Sequence, residues 1–339
     1  MSDHFEPVRH ITARNVNEAL CEGLTWLTVA GEEESSRNGP VLVSPSPAMT
    51  TYLNPRERVL FSPLRDANPF FHLMESLWML GGRNDLAFPL QFNSRFGDYS
   101  DDGITLHGAY GFRWREHFGV DQLMRLAEEL RTPGTRRAVL GMWDPAVDLG
   151  RAGADLPCNT HAYFSVRTDG GGHPTLDMTV LCRSNDAIWG AYGANAVHFS
   201  MLQEVLAELV GARVGRYTQY SHNFHVYLEK FPREQLHLLA GDAARNDLYG
   251  SPVLEMCPTP LIGHDAKLWL MELDVFLSDA AGDTLYEEPF FNEVAAPVYN
   301  AWLARRRGDL DGCLSALACC QAPDWRYACE AWVTRRLPK

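Results

Sequence analysis

The sequence predicts an α+β protein. Predicted strands and predicted helices follow one another without strict alternation, which is typical of this class. The chain has 339 residues, of which 46% are apolar. That length and composition are enough to bury a large core in one unit. We therefore expect a single domain over residues 1–339, with insertions.

Two helices are predicted in the first quarter of the chain. The first covers residues 17–30, and a polar stretch, 32–40, follows it. The second begins after Asn68 as N-cap, has Pro69 in its first position and ends at Gly81.

Glu75 is the only acidic residue in the second of these helices. A carboxylate is costly to bury unless it is hydrogen-bonded, and burial would raise its pKa towards the range that is useful for proton transfer. Glu75 is therefore either a functional acid or a residue on an exposed strip of the helix.

The middle of the chain predicts strands that end in polar clusters. The predicted elements are strands at 162–166, 176–182 and 216–221, and a largely buried helix at 197–210 that ends at Gly211. The cluster Arg183-Ser184-Asn185-Asp186 follows directly after the second strand, where functional sites are common.

Cys158 is the strongest candidate nucleophile. It stands in a Leu-Pro-Cys-Asn sequence, which indicates a turn just before the strand at 162–166. A catalytic thiol needs a nearby cation or helix N-terminus to favour the thiolate, and Arg183 could supply that charge. Arg183 could also bind a phosphate or carboxylate, with the Ser184 hydroxyl as a further donor. The alternative is a buried, unreactive thiol.

Two polar pairs could complete a binding site. His225 and Tyr227 lie two residues apart in a segment predicted to be extended, so both side chains project from one face and could bind a sugar hydroxyl. Arg136 and Arg137 follow a Pro-Gly turn. Each pair has a simpler alternative, because His225 could be a core residue and the arginines could belong to a solvated turn.

The composition argues against several classes of function. The net charge is −13 and there is no basic run, so the summed field repels nucleic acid, and a mononucleotide held by local arginines fits better. The eight cysteines show no zinc spacing, and no apolar stretch has the length of a membrane span or the pattern of a signal segment. We expect a cytoplasmic protein with reduced thiols and no bound metal.

The order and spacing of these motifs resemble the thymidylate synthase family. The matching segments are Arg37-Asn38-Gly39, Glu75-Ser76-Leu77-Trp78, residues 108–115, Thr135-Arg136-Arg137, Pro157-Cys158, residues 182–186 with Gly190, and His225-x-Tyr227. The resemblance implies a large mixed β-sheet flanked by helices. The region from about 252 to 339 matches the family least.

The resemblance also implies covalent catalysis on a pyrimidine nucleotide, with 5,10-methylenetetrahydrofolate as co-substrate. Cys158 would add to C6 of the base, and C5 would then attack the methylene carbon of the folate. Glu75 would move protons at the base through water, and Tyr110 would assist removal of the C5 proton. The remaining implied roles are catalysis for Arg183, orientation of the pteridine for Asp186, and folate binding for Trp78 and Gly190.

Substrate binding and assembly follow from the same resemblance. It implies that the nucleotide phosphate contacts Arg37, Arg183 and Ser184, together with Arg136 and Arg137 of a second copy of the chain, so that a homodimer is the functional unit. His225 and Tyr227 would bind the 3'-hydroxyl of the ribose.

Several positions depart from the methylating members of the family. Asn159 stands in place of the usual His, Cys182 in place of Gln and Asn223 in place of Asp, and the segment before Tyr110 lacks tryptophan. The last residues are Arg-Arg-Leu-Pro-Lys instead of a short apolar tail that closes over the site. Hydride transfer needs a dry, closed site, whereas a wetter pocket favours capture of the methylene group by water. We therefore expect a 5-hydroxymethylase.

The base specificity depends on one asparagine. Uracil-specific members read the base with an Asn a few residues beyond the glycine matched by Gly190; counting without a gap places Ala194 there, and Asn195 is the next residue. An absent or displaced uracil clamp favours cytosine. The expected substrate is CMP, or dCMP, as in phage DNA modification or nucleoside-antibiotic biosynthesis. A divergent thymidylate synthase that methylates dUMP is the alternative.

The sequence leaves two other classes of function open. A papain-like cysteine hydrolase would pair Cys158 with His161 or His222, but it would have no use for the arginine set. A catalytically inactive member of the family would bind a nucleotide or RNA without turnover. The presence of both Cys158 and Arg183 argues against this second class.

Overall fold

The strands of the protein form two sheets. The computed structural model describes residues 7–337 except 252, 255 and 283. The larger sheet has the strand order β1 (Arg9–Ala13), β4 (Ala48–Tyr52), β9 (Arg213–Ser221), β7 (Pro174–Cys182), β6 (Asn159–Thr168) and β5 (Val139–Gly141). The smaller sheet has the order β2 (Glu32–Ser36), β3 (Gly39–Val43), β10 (Phe224–Tyr227) and β8 (Asn185–Asp186). Both sheets mix parallel and antiparallel pairs, which confirms the predicted α+β class.

Helices connect and flank the strands. Their bounds are α1 (Val16–Ala30), α2 (Pro69–Leu80), α3 (Ala87–Leu90), α4 (Tyr110–Arg115), α5 (Gln122–Leu130), α6 (Pro145–Asp148), α7 (Asn195–Leu209), α8 (Arg233–Arg245), α9 (Ala266–Ser278), α10 (Ala296–Arg306), α11 (Leu310–Ala318) and α12 (Pro323–Thr334). Short 3-10 turns lie at Ser94–Tyr99 and Leu248–Gly250, and π-helical segments lie at Ala187–Ala194 and Phe291–Ala295. The three helices predicted from the sequence are confirmed as α1, α2 and α7. Within the described residues, no helix is both long enough and apolar enough to cross a membrane.

Helix α2 runs through the middle of the core. The Asn68 side chain caps it by accepting a hydrogen bond from the Phe71 backbone N–H at 3.2 Å, and Gly81 ends it, as predicted. One hydrophobic cluster joins α2 to α1, α7 and the four C-terminal helices. Helix α4 approaches α2 so closely that a Cβ built on Gly111 would lie 1.9 Å from the Met79 carbonyl oxygen.

The larger sheet is covered by helices on one face. Helices α1, α5 and α7 pack there. On the opposite face, one row of side chains crosses four paired strands and stays partly accessible, namely Thr51, Thr218, Thr179 and Tyr163. Tyr163 is 43% exposed. This face therefore presents an aromatic and methyl-bearing surface outside the core.

Strand pairing brings the candidate motifs together at one edge. The start of β6 pairs with the end of β7 through Asn159 and Cys182, so Cys158 and Arg183 become neighbours. Strand β10 lies parallel to β8, with His225 opposite Asp186.

The polar stretch at 32–40 forms a hairpin. Strands β2 and β3 pair along it, and Arg37 lies in the turn between them. Gly39 follows the turn with φ +100°, a left-handed conformation that glycine adopts without strain. All five residues of β2 are exposed, so its sequence shows no alternation of apolar and polar residues.

Candidate active site

Cys158 lies in the turn before β6, and Tyr110 holds that turn. The Tyr110 hydroxyl accepts hydrogen bonds from the backbone N–H groups of Cys158 at 3.0 Å and of Asn159 at 3.1 Å. Tyr110 is the first residue of α4. The nucleophile and the predicted proton-transfer tyrosine are therefore in direct contact.

Arg183 binds the same turn from the other side. Its Nε donates to the Pro157 carbonyl oxygen at 2.9 Å, and its Nη2 donates to the Leu156 carbonyl oxygen at 3.2 Å. Its backbone N–H also donates to the Cys158 carbonyl oxygen at 2.8 Å. The guanidinium group lies over the Trp143 ring, 5.7 Å from the centroid. These contacts fix the position of the positive charge close to the thiol.

Arg183 acts on the thiol pKa in the expected direction, but its charge does not bring that pKa below the ordinary value. Burial raises the pKa of the Cys158 thiol above its ordinary value. The charges of Arg183 and Arg37 act in the opposite direction but only partly offset burial, and the charge of Asp155 raises the pKa further. The thiol is therefore protonated at neutral pH before substrate binds.

The hairpin turn places Arg37 near the same site. Asn38, next to it, donates a long hydrogen bond from Nδ2 to the Tyr227 hydroxyl at 3.5 Å. Ser184 follows Arg183 directly and is half-buried. Arg37 and Arg183 both lie close enough to Cys158 for their charges to act on its pKa.

Arg136 and Arg137 lie elsewhere on the surface. Both are exposed in the turn before β5, and Arg137 Nε donates to Glu129 Oε1 at 3.3 Å. In one chain, this pair has no described hydrogen bond to the residues around Cys158.

His225 and Tyr227 share one face of β10, as predicted. Their ring centroids are 5.1 Å apart with an edge-to-face geometry. His225 Nδ1 is hydrogen-bonded to Asn223 Oδ1 at 2.8 Å. Burial lowers the pKa of His225, although the nearby Asp186 acts in the opposite direction. The imidazole is therefore neutral at pH 7 and can both donate and accept.

Asp186 has one carboxylate oxygen in use and one available. Oδ1 caps the π-helical segment by accepting from the backbone N–H groups of Ile188 at 2.9 Å and Trp189 at 2.5 Å. Oδ2 is buried and accepts no hydrogen bond within the described structure. Burial raises the pKa of this carboxyl group, with His225 and Arg65 acting against it.

The side chain of Asn195, the residue after Ala194, lies next to the nucleophile turn, because it is hydrogen-bonded to Asn159. The segment Ala187–Ala194, which precedes it, is π-helical. Asn195 begins α7 and is 8% exposed. Its Oδ1 accepts from Asn159 Nδ2, and its Nδ2 donates to Asn185 Oδ1, both at 3.1 Å.

Glu75 is buried at 8% exposure, so the exposed-strip alternative is wrong. Its Oε2 lies 3.0 Å from His198 Nε2 on α7. His198 comes three residues after Asn195, which places both on the same side of that helix. No sequence motif singled out His198.

Trp78 belongs to the core. It is 2% exposed, and its indole Nε1 donates to Asp85 Oδ2 at 3.2 Å, so it offers no ring face to a folate. Gly190, by contrast, lies against the asparagine pair, because a Cβ there would be 2.6 Å from Asn185 Oδ1.

Two further residues near the site were missed. Trp189, 38% exposed, lies beside Asp186 with its ring 6.1 Å from that of Tyr227. Asp155 accepts a hydrogen bond from the Gly108 N–H at 2.7 Å, and burial raises its pKa. The only sequence signal for a role of Trp189 was its position three residues after Asp186, a predicted ligand-binding residue. No sequence signal indicated Asp155.

The cysteine hydrolase alternative finds no support in the geometry. Neither His161 nor His222 forms a hydrogen bond with Cys158 among the described residues. His161 stacks on Tyr163, with centroids 6.3 Å apart, and His222 is exposed. The part of the chain that is described also contains no group of three His, Cys, Asp or Glu side chains able to hold a metal ion.

Comparison with known proteins agrees with this geometry. The sequence model of the family described as thymidylate synthase matches residues 30–249. A deoxyuridylate hydroxymethyltransferase of Pseudomonas phage M6 is 49% identical over 343 aligned positions, which cover 96% of this chain and 94% of that protein. The protein of the same name from Bacillus phage SP01 is 38% identical over 55% of this chain and 50% of its own length. A thymidylate synthase of Streptococcus suis is 29% identical over 48% of this chain and 58% of its own length.

Proposed function

We propose, from the premise that this chain belongs to the thymidylate synthase family, that it hydroxymethylates C5 of dUMP. The one-carbon unit would come from 5,10-methylenetetrahydrofolate, the family's co-substrate. With one water consumed, the products are 5-hydroxymethyl-dUMP and tetrahydrofolate. A pyrimidine C5 hydroxymethyltransferase is the activity that the hydroxymethyltransferase relatives indicate.

The observation that carries the proposal is the inward amide of Asn195. Its two hydrogen bonds within the protein leave one N–H and one carbonyl lone pair unused. A uracil edge needs a donor at O4 and an acceptor at N3–H, which one amide supplies together. The cytidylate expected from the sequence rested on an absent or displaced clamp, whereas the buried Asn195 amide next to the nucleophile turn supports uracil.

The thiol of Cys158 would attack C6 of the bound base. Since burial raises the pKa of the thiol, a base would have to accept the thiol proton as the sulfur adds to C6. Tyr110, in contact with the nucleophile turn, would take part in removing the C5 proton. The phosphate would bind Arg37, Arg183 and Ser184, and the sugar hydroxyl would bind His225 and Tyr227.

The folate fits the surface around Asp186. A pteridine presents N–H donors, and the buried Oδ2 of Asp186 is an acceptor without a described donor. The exposed Trp189 ring beside it could stack on an aromatic ring of the co-substrate. Bound there, the folate supplies the carbon that becomes the hydroxymethyl group.

The choice of water over hydride is supported by one unpartnered polar atom in the residue after the nucleophile. Asn159 Oδ1 is buried and accepts no described hydrogen bond, and an atom of this kind binds a water or a ligand. Asn159 directly follows Cys158, so such a water would lie beside the adduct. Glu75 and His198 could exchange protons with it.

A homodimer is part of this proposal. The open face of the larger sheet, on which Tyr163 is exposed, is suited to pack against a second copy of the chain. Arg136 and Arg137 are exposed near the edge of that sheet, where they could reach the phosphate site of the other subunit.

The folate product tests the proposed reaction. Hydroxymethylation of dUMP leaves tetrahydrofolate, whereas methylation oxidises the folate to dihydrofolate. We expect tetrahydrofolate in equal amount to modified nucleotide, and none with a Cys158→Ala variant. Stoichiometric dihydrofolate would show instead a methylating enzyme.

A further inference from the structure

Asn195 belongs to a continuous chain of buried amides. Asn159 Nδ2 donates to Asn195 Oδ1 at 3.1 Å, Asn195 Nδ2 donates to Asn185 Oδ1 at 3.1 Å, and Asn185 Nδ2 donates to Ser221 Oγ at 2.9 Å. The four residues are between 0% and 8% exposed. They come from the start of β6, the start of α7, the short strand β8 and the end of β9.

The chain has a direction. Every amide donates with its nitrogen to the carbonyl oxygen, or finally the hydroxyl, of the next residue. The opposite direction would use the same contacts, because a serine hydroxyl donates as readily as it accepts and an amide can turn its oxygen and nitrogen over. In a buried network all members must turn together, since one reversed member would set two oxygens or two nitrogens against each other.

The direction decides what Asn195 offers to a ligand. In the observed direction the oxygen of Asn195 faces Asn159 and its nitrogen faces Asn185. Reversal would exchange the free acceptor and the free donor. Uracil (N3–H donor, O4 acceptor) and cytosine (N3 acceptor, N4 donor) differ by that same exchange.

We propose that Asn159 and Asn185 are specificity-determining positioning residues that hold the Asn195 amide in the orientation that reads uracil. The inference rests on the proposed function, because it takes Asn195 as the residue that meets the base. Asn159 and Asn185 act through Asn195 and need not touch the nucleotide.

The close packing around Gly190 makes the network rigid. A Cβ at this position would lie 2.6 Å from Asn185 Oδ1 and 3.5 Å from Asn195 Nδ2. Only glycine therefore leaves room for the hydrogen bond between these two side chains. Asn159 also links the network to the turn of Cys158. The orientation of the base reader is therefore coupled to the position of the nucleophile.

Two matched substitutions test the direction. An ionised Asp accepts hydrogen bonds and cannot donate. Asn159→Asp would force Asn195 to turn its nitrogen towards residue 159, which reverses the chain. Asn185→Asp would still accept from Asn195 in the observed direction and could accept from Ser221. Both variants add one negative charge to the same network, so each controls for the charge of the other.

The measurement is the ratio of the dissociation constants of dCMP and dUMP, determined by titration calorimetry without folate. For Asn159→Asp we expect the preference for dUMP to fall by roughly 10- to 100-fold, as one mismatched two-point base contact would produce. For Asn185→Asp we expect the ratio to stay within about threefold of the unmodified protein. Equal ratios in the two variants, or a change only in Asn185→Asp, would overturn the proposal.

A third variant tests the same proposal if Asn159→Asp folds poorly. Asn159→Leu removes the constraint without adding charge, so both orientations of Asn195 become available and the two dissociation constants should approach each other. An unchanged preference in this variant would also overturn the proposal. The proposed reaction fails separately, when the unmodified protein binds dUMP but yields no hydroxymethylated product.

Discussion

At the scale of single residues, the site is controlled by burial. Burial raises the pKa of the Cys158 thiol and of the Asp186 carboxyl group, and it lowers the pKa of His225. Each shift disfavours the charged form, as desolvation does. Burial thus acts against the charged forms of these three groups, while Arg37 and Arg183 supply positive charge near the thiol.

The thiol pKa gives the first prediction. Because it lies above the ordinary value of 9.0, alkylation of Cys158 by iodoacetamide should become faster with each pH unit up to pH 9 and beyond. Arg183→Gln should slow the reaction at pH 8 by about tenfold or more, since a neighbouring positive charge is lost. The rate is read by peptide mass spectrometry, which separates Cys158 from the exposed Cys257 and Cys319. An alkylation rate of Cys158 that reaches a plateau below pH 8 would contradict the raised pKa. Arg125→Gln, at an exposed position, serves as the control.

The pair of Glu75 and His198 gives the second prediction. If Glu75 moves protons, Glu75→Gln should lower kcat roughly 10²- to 10⁴-fold. His198→Gln should lower kcat by a smaller factor and leave the nucleotide KM nearly unchanged, because His198 acts 3.0 Å from the carboxylate and not on the phosphate. His237→Gln, at an exposed position of α8, is the control. An unaltered kcat in His198→Gln would remove it from the mechanism.

At the scale of elements, close contacts between neighbouring segments position the site. Helix α4 carries Tyr110 and lies directly on α2, which carries Glu75. The contact depends on Gly111, whose missing side chain leaves room for the Met79 carbonyl group.

Gly111→Ala tests this contact. Alanine would gain about 1 kcal/mol in helix propensity, but its Cβ would lie 1.9 Å from a backbone oxygen that cannot move aside cheaply. We expect a net loss of about 1–3 kcal/mol in the free energy of unfolding, measured by urea denaturation. Gly170→Ala, where a Cβ meets nothing within 4 Å, should change it by less than about 0.5 kcal/mol. Equal stability of the two variants would show that α4 has room to shift.

The sequence predicted the elements whose signals are local. Asn68, Pro69 and Gly81 marked the ends of α2 because capping depends on neighbouring residues. Strand β2 was not predicted, because all its residues are exposed and its sequence does not alternate between apolar and polar residues. The π-helical segment at Ala187–Ala194 was equally hidden, and the sequence left open whether Asn195, which follows it, turns inward.

The candidate site residues that belong to sequence motifs could be named from the sequence. Cys158 and Arg183 become neighbours because β6 pairs with β7, and His225 lies opposite Asp186 because β10 pairs with β8; the family resemblance implied a common site for all four. His198 escaped prediction, because its role depends on a partner far away in the sequence. The burial that raises the Cys158 pKa could not be predicted either, since it arises from the packing of several segments.

At the scale of the whole molecule, charge and surface shape limit the partners. A net charge of −13 disfavours polymeric nucleic acid, while the clustered arginines around Cys158 can still hold one phosphate group. The open face of the larger sheet carries the exposed Tyr163. Pairing of two copies would cover it and bring a second set of arginines to each site.

Mixing two inactive variants tests that arrangement. Cys158→Ala lacks the nucleophile, and the double variant Arg136→Ala/Arg137→Ala lacks the arginines proposed to act on the partner. After subunit exchange, half of the dimers are mixed and each has one complete site, so about a quarter of the normal activity should return. No recovery, in a mixture shown to contain mixed dimers, would place both functions in one chain.

The central claim, hydroxymethylation of a uracil nucleotide, is tested most directly by product mass spectrometry. The protein would be incubated with 5,10-methylenetetrahydrofolate and an equimolar mixture of dUMP, UMP, dCMP and CMP. The account predicts a gain of CH2O on dUMP, with the other three nucleotides unchanged or nearly so. A gain of CH2O on a cytidine nucleotide would contradict the assignment of Asn195 as a uracil reader, and a gain of CH2 on dUMP would contradict capture by water.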